Sequence, residues 1–274
     1  MVALLLVGLS ACGAQPCAEI KLIAHRGGVV DEQHAENTLA SLQEAIQRGY
    51  WMVEVDIRRS KDGELVVQHD KGFQRLYGVN QDVADLAWGE IRQLRSRIGG
   101  QPPSTFGEFA ACCRGKTRLM VDTQETGSQG GFFEKIEQIL RENGLLSSAF
   151  FIGAREQKAY FKGKARVAVD RDGLKRAVAT GEAVSSLCFL FEHGNVLDEP
   201  TVEYARSLDV PVVASVNTEH YIIRRGVSKP ETDILRLRKL GVTYFQIDSA
   251  FAELLNKAQS AISAGESPQG SVIP

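Results

Sequence analysis

Ile23-Ala24-His25-Arg26-Gly27-Gly28 opens a stretch that runs through Glu36-Asn37-Thr38 and Met52-Val53-Glu54-Val55-Asp56-Ile57 to His69-Asp70. Met52 to Ile57 reads as a strand, so Glu54 and Asp56, two residues apart, share one face of it. Two carboxylates side by side repel unless a cation or a shared proton relieves them. Ser60-Lys61-Asp62-Gly63-Glu64 carries the Asp-Gly hairpin signal ahead of the strand-like Leu65-Val66-Val67. A two-residue turn on Asp62-Gly63 sets His69 opposite Asp56. The hairpin is therefore expected to bring an imidazole beside an acidic pair.

Working outward, Ile20 to Ala24 reads as a first core strand whose end carries His25 and Arg26, and Gly27 and Gly28 let backbone approach a ligand closely. Asn37 or Thr38 caps a helix with Leu39, Leu42 and Ile46 on one face, and Gly49 stops it. Further strands are expected at Met52–Asp56, Arg118–Asp122, Ala149–Ile152, Arg166–Val169, Leu187–Phe191, Val212–Val216 and Thr243–Ile247, with helical segments between them. Helices are expected at Thr105–Cys113 and around Phe132, Phe133, Ile136, Ile139 and Leu140; residues 71–105 are less regular, with Leu86–Leu94 helical. With the hairpin set aside as an excursion after the second strand, this is the α/β pattern of a (β/α)8 barrel; a doubly wound sheet satisfies the same pattern.

A chain of 274 residues, 43% of them hydrophobic, is long enough for one such barrel, and a formal charge of −2 with no basic stripe gives no support for a nucleic-acid partner. No stretch after residue 20 approaches the length of a membrane span. Val2 to Leu9 is a short apolar run ending in Leu9-Ser10-Ala11-Cys12, which resembles a bacterial lipoprotein signal. That reading makes residues 1–11 a signal peptide, lipidates the Cys12 thiol, leaves 12–19 as a linker, and tethers the chain to a membrane of the bacterial cell envelope, facing the periplasm or exterior. Gly13, where an Asp would resemble the inner-membrane retention signal, favours the outer membrane. The alternative is an N-terminal segment packed on the domain. The barrel then covers 20–258, and the polar, Gly/Ser-rich 259–274 is expected to be a disordered tail. Cys17, Cys112, Cys113 and Cys188 lack metal-type spacing and read as small buried residues, with a bridge to Cys17 left open.

In a barrel the active site lies at the C-terminal ends of the strands. That places His25 and Arg26 at the end of the first strand, Glu54 and Asp56 at the second, Asp122 at the third, and the hairpin's His69 on the same rim. Three carboxylates without a nearby Cys suit a hard divalent cation, Mg²⁺ or Ca²⁺. Such an ion neutralises charge on a phosphoryl oxygen, Arg26 offers a fork for the other oxygens, and His25 and His69 can share acid and base work. These parts suit cleavage of a phosphate ester.

His25-Arg26-Gly27, Glu36-Asn37-Thr38, Glu54-Val55-Asp56, Lys61-Asp62-Gly63 and His69-Asp70 together resemble the signature of the glycerophosphodiester phosphodiesterase family. The resemblance implies a TIM barrel that hydrolyses glycerophosphodiesters to an alcohol and glycerol 3-phosphate with one divalent metal. It implies Glu54, Asp56 and Asp122 as metal ligands, His25 and His69 as the catalytic pair, and Arg26 as a phosphate contact; Glu36 and Asn37 fix the rim. An adjacent substrate hydroxyl attacking first, with water then opening a cyclic phosphate, belongs to the same picture. Two positions depart from it. Where the family commonly has Glu-x-Lys, this chain has Asp122-Thr123-Gln124, which leaves Gln124 as a neutral phosphate-side donor; Asp122 here resembles the related sphingomyelinase D and phospholipase D toxins. Where an aromatic-Thr-Val-Asn segment is expected, it has Ala214-Ser215-Val216-Asn217, while Ile247-Asp248 partly matches the terminal Thr-Asp.

The rival readings are a lyase that cleaves a lysophospholipid or sphingolipid head group and leaves a cyclic phosphate, a phosphate-ester-binding lipoprotein without turnover, and an exported sugar-processing barrel using paired carboxylates. Glu192 and His193 are expected either to line the pocket or to serve a loop. His34 and His220 read as surface groups, and Arg224-Arg225 and Arg236/Arg238/Lys239 as solvated faces.

Overall fold

The computed structural model describes residues 19–124, 131–222 and 229–255. Among the described residues are nine strands: β1 Lys21–Ala24, β2 Met52–Arg59, β3 Leu65–Val67, β4 Arg118–Thr123, β5 Phe150–Phe151, β6 Arg166–Val169, β7 Cys188–His193, β8 Val212–Val216 and β9 Tyr244–Ile247. Eight of them run parallel in the order β1-β9-β8-β7-β6-β5-β4-β2, and β1 pairs with β2 to close the ring. The doubly wound alternative is thereby excluded: this is an eight-stranded α/β barrel of TIM type, and the expected strands all form. β3 lies outside the ring as an antiparallel hairpin partner of β2.

The period-two alternation of the strands divides the core in two. Ile23, Met52, Met120, Phe150, Ala168, Phe189 and Val213 form one buried cluster, which fills the floor of the barrel interior. Their neighbours, Ala24, Val53, Val55, Leu119, Val121, Leu190, Ala214 and Ile247, join a larger cluster against the surrounding helices. One step higher on the inward parity the residues turn polar: His25, Glu54, Asp56, Asp122, Ser215, Asn217, Gln246 and Asp248. An apolar floor thus supports a polar upper layer at the C-terminal rim.

The first helix, Leu39–Gln47, is capped by Thr38, whose hydroxyl accepts from Ser41 N (3.2 Å) while Ser41 Oγ accepts from Thr38 N (3.2 Å). Gly28 packs against this turn at φ +142°, and a Cβ there would lie 2.1 Å from the Ser41 carbonyl oxygen. Neither backbone can yield without moving the rim, so Gly28→Ala is expected to destabilise the fold by at least about 3 kcal/mol, roughly 6–12 °C in melting temperature. Thermal unfolding of the purified variant checks this; a shift below about 2 °C contradicts the close approach.

The hairpin differs from expectation by one residue. Ile57 faces Val67 and Arg59 faces Leu65, so Gln68 rather than His69 falls opposite Asp56, and Gln68 N donates to Asp56 O (3.0 Å). The connection is a three-residue loop, Lys61–Gly63, in which Gly63 N closes on Ser60 O (3.0 Å) with Gly63 at φ +86°. Asp62 is drawn off elsewhere: its carboxylate accepts from Ser60 Oγ (2.6 Å) and from Trp88 N (3.0 Å) at the start of the helix Trp88–Ile91. His69 reaches the rim beyond the end of β3, where Arg58 holds its carbonyl from Nε (2.8 Å) and Nη2 (2.6 Å).

The segment between β3 and β4 packs a small core of Phe73, Leu76, Tyr77, Val83, Leu86 and Ile91 against Val66 of β3. It carries a 3-10 turn at Val83–Asp85 and short helices at Gln74–Tyr77 and Trp88–Ile91, not one continuous helix over Leu86–Leu94.

Candidate active site

Glu54 and Asp56 on β2 and Asp122 on β4 each offer a carboxylate oxygen, and the three oxygens lie within 4.8 Å of one another. The donors that reach them are uncharged. Arg26 N donates to Glu54 Oε2 (2.7 Å), Asn37 Nδ2 to Asp56 Oδ2 (2.9 Å), and Gln124 Nε2 to both Asp56 Oδ1 (2.9 Å) and Asp122 Oδ2 (3.1 Å). Burial, and then the charges of Asp56 and Asp122, push the Glu54 carboxyl well above its ordinary range. Burial and Asp56 push Asp122 up to about 7. Glu54 and Asp56 are 1% and 2% exposed. Three carboxylates this close, Glu54 and Asp56 buried and Asp122 half-buried, hold their charge comfortably only around a cation, and an all-oxygen set fits a hard divalent ion.

Two imidazole–carboxylate pairs flank the triad. His25 Nδ1 meets Asp248 Oδ1 at 2.6 Å, and Asp248 Oδ2 accepts from Thr218 N (2.7 Å). An ionised carboxylate only accepts, so Nδ1 carries the proton and Nε2, 3.4 Å from Asn217 Nδ2, presents a lone pair. His69 Nδ1 meets Asp70 Oδ1 at 3.0 Å. Both imidazoles stand near enough to Asp122 for their charge to oppose the rise of its carboxyl.

Arg26 occupies a left-handed conformation at φ +51°, with Nη1 on Glu36 Oε2 (3.2 Å) and Nη2 on Glu219 Oε1 (2.8 Å). Asn37, also left-handed at φ +56°, contributes its side chain to Asp56, and the helix cap falls to Thr38. Beside His25 and Arg26 is a cavity of about 280 Å³ bounded by Glu219, Asp248 and Ser249. The sequence-predicted residues His25, Arg26, Glu36, Asn37, Glu54, Asp56, His69, Asp122 and Gln124 are all at this rim.

Asp248, Asn217, Glu219 and Arg75 were not among the predicted site residues. Asp248 and Asn217 had a readable signal, the inward parity one step past the ends of β9 and β8. Burial alone would raise the Asp248 carboxyl, but the hydrogen bonds from His25 and Thr218 and the charge of His25 outweigh it and bring it down to about 2. A folded-state value below the ordinary 3.8 adds stability above that pH and loses it as pH falls toward 2. Asp248→Asn should therefore cost up to about 2 kcal/mol near pH 6, and the deficit should shrink toward pH 3. Urea unfolding across that window checks it; a deficit independent of pH contradicts it.

Among the described residues, the other groups singled out in the sequence lie away from the triad. His220, expected at the surface, is half-buried on the helix Thr218–Ile222, stacked on His193 at 3.7 Å between ring centroids. His34 binds Asp31 Oδ1 (2.8 Å). Cys112, Cys113 and Cys188 are free thiols, and Cys113 and Cys188 are buried. Cys12, Cys17, Arg224, Arg225 and the tail lie outside the described residues.

Residues 25–147 match the model of the Glycerophosphoryl diester phosphodiesterase family. Over that segment, somewhat under half of its length, the chain is similar to this family. Over 71 residues it is 41% identical to Lysophospholipase D GDPD1 of Homo sapiens, a stretch that is 26% of this chain and 22% of that protein. The chain thus matches about a fifth of the length of this curated relative. A Glycerophosphoryl diester phosphodiesterase from Parabacteroides distasonis shares the fold with a TM-score of 0.68 at 20% identity, covering 92% of this chain and 90% of that one. A phosphodiesterase from Oleispira antarctica, solved with the product sn-glycerol-3-phosphate, superposes with a TM-score of 0.67 at 21% identity, over 89% of this chain and 96% of its own. The barrel fold shared with these structures extends past the matched segment, through β9.

Proposed function

We propose that this chain hydrolyses glycerophosphodiesters to an alcohol and glycerol 3-phosphate, with Glu54, Asp56 and Asp122 holding one divalent cation, Mg²⁺ or Ca²⁺. The observation that carries the reading is the close carboxylate triad flanked by His25–Asp248 and His69–Asp70. Bound there, the ion would neutralise charge developing on a phosphoryl oxygen. Arg26 offers a second point of positive charge on the same rim. His25 and His69 divide the proton work: one Nε2 takes the proton of the attacking substrate hydroxyl while the other protonates the leaving oxygen, and water then opens the cyclic phosphate to glycerol 3-phosphate with the two roles exchanged, each ring fixed through Nδ1 by its carboxylate. Gln124 is the neutral donor between Asp56 and Asp122, and a cation between those two would free its amide for a phosphate oxygen.

Glycerophosphocholine and a lysophospholipid, each incubated with and without chelator and followed by phosphorus NMR, test the reading. Divalent-dependent appearance of glycerol 3-phosphate from glycerophosphocholine supports it. Accumulation of a cyclic ester alone would replace it with the lyase, and tight phosphate-ester binding without turnover with a binding protein. The proposal extends to a lipid anchor on Cys12, in the bacterial cell envelope; loss of the chain from the membrane fraction in Cys12→Ser tests that part, and an unchanged distribution rejects it.

A further inference from the structure

Arg75 sits on the four-residue helix Gln74–Tyr77 in the segment between β3 and β4, and neither the family match nor the motifs above give it a role. Leu76 and Tyr77 anchor that helix in the small core, and Gly78 at φ +76° ends it, so the guanidinium is carried on a firm support. It makes two bidentate contacts. Nη1 and Nη2 donate to Glu36 Oε2 (2.9 Å) and Oε1 (2.6 Å); Nε and Nη2 donate to Asp70 Oδ2 (2.6 Å) and Oδ1 (2.9 Å). Each carboxylate also serves a residue of the site: Glu36 accepts from Arg26, and Asp70 holds His69 Nδ1.

We propose that Arg75 is a positioning residue that ties the phosphate-side arm, Arg26 through Glu36, to the acid–base arm, His69 through Asp70. The inference rests on the function proposed above. Glu36, buried with a side chain 7% exposed, lies between two guanidiniums. Arg26's other carboxylate, Glu219, is exposed and screened by water, so the sharing of buried Glu36 between two cations is what leaves Arg26 with charge to offer a phosphate; without Arg75, Glu36 would turn wholly to Arg26 and neutralise it. Asp70 is shared in the same way between Arg75 and His69, which fixes the orientation of the imidazole. Burial opposes ionisation of both carboxyls, yet the Arg75 hydrogen bonds and the neighbouring charges hold Glu36 below its ordinary range and Asp70 at about 2. A Lys in this place could face one carboxylate but not span both as a fork.

The test is a pair of double-mutant cycles on the full chain, Arg75→Gln with Asp70→Asn and Arg75→Gln with Glu36→Gln, read as kcat and KM separately and as calorimetric binding of glycerol 3-phosphate. Arg75→Gln is expected to lower kcat and weaken both KM and glycerol 3-phosphate binding, each by about 10–100-fold. In the Asp70→Asn background its effect on kcat should vanish while its effect on binding persists; in the Glu36→Gln background the reverse should hold. A residue serving stability alone would show no such split. If Arg75→Gln does not accumulate folded, Arg75→Lys runs the same cycles and should preserve one parameter but not both. Effects within about twofold of wild type, or full additivity in both backgrounds, overturn the proposal. Wild type that binds glycerol 3-phosphate yet turns over no diester sinks the proposed hydrolysis alone, since the binding arm of the cycles still reads Arg75.

Discussion

Asp122→Asn is expected to lower turnover by about 10³-fold and, in the same protein freed of metal, to raise the melting temperature at pH 8. The two effects have one cause. Burial and the neighbouring Asp56 push the Asp122 carboxyl up to about 7. A carboxyl raised in the folded state favours folding while protonated, and that contribution fades as pH climbs from the ordinary 3.8 through about 7. At pH 8 without a cation, the ionised side chain therefore works against the fold. Asn removes the charge while keeping an oxygen that can accept from Gln124 Nε2, which stands 3.1 Å from Asp122 Oδ2. The gain should be about 1–3 kcal/mol, with each kcal/mol equal to about 2–4 °C for a chain of this size. A variant that retains a tenth of wild-type activity, or melts lower than the metal-free wild type, contradicts the triad's assignment.

His25→Ala and His69→Ala should each lower kcat by about 10²–10⁴-fold with far smaller changes in KM, and the double variant should be little worse than the poorer single one. The two rings are held alike, Nδ1 to Asp248 at 2.6 Å and Nδ1 to Asp70 at 3.0 Å, so each has its Nε2 left for substrate. If both act on one displacement, removing either stops the same step, and removing the second takes little more. Steady-state rates on glycerophosphocholine measure this. Two independent, multiplying losses would mean that the rings serve different steps, and a single variant within tenfold of wild type would remove that ring from the chemistry.

The barrel was legible because its signals are local. Short apolar runs such as Val212–Val216 and Arg166–Val169 sit between helical stretches, and each became a strand. The triad was legible for the same reason: period-two parity puts Glu54 and Asp56 on one face, and Asp122 extends the pattern on β4, beside β2. The hairpin register was harder. Asp62-Gly63 suits a two-residue turn, but Asp62 caps the helix Trp88–Ile91, a tertiary demand invisible in the local string. Arg75 was hidden more deeply, since nothing in Gln74-Arg75-Leu76-Tyr77 marks it until folding brings Glu36 and Asp70 to the same guanidinium. Asp248 lay between these cases: its place after β9 was readable, but its contact with His25 joins the two ends of the described barrel and requires the ring to close.

The most direct measurement is a calorimetric titration of the metal-free chain with Mg²⁺ and with Ca²⁺ at pH 7.5, beside Asp56→Asn. Asp56 contributes to the triad, and among the described residues the amides of Asn37 and Gln124 meet its two oxygens. The account predicts one divalent ion bound per wild-type chain, and an affinity lower by about 100-fold or more in the variant. Equal affinity in the two proteins, or no binding by wild type, would contradict it.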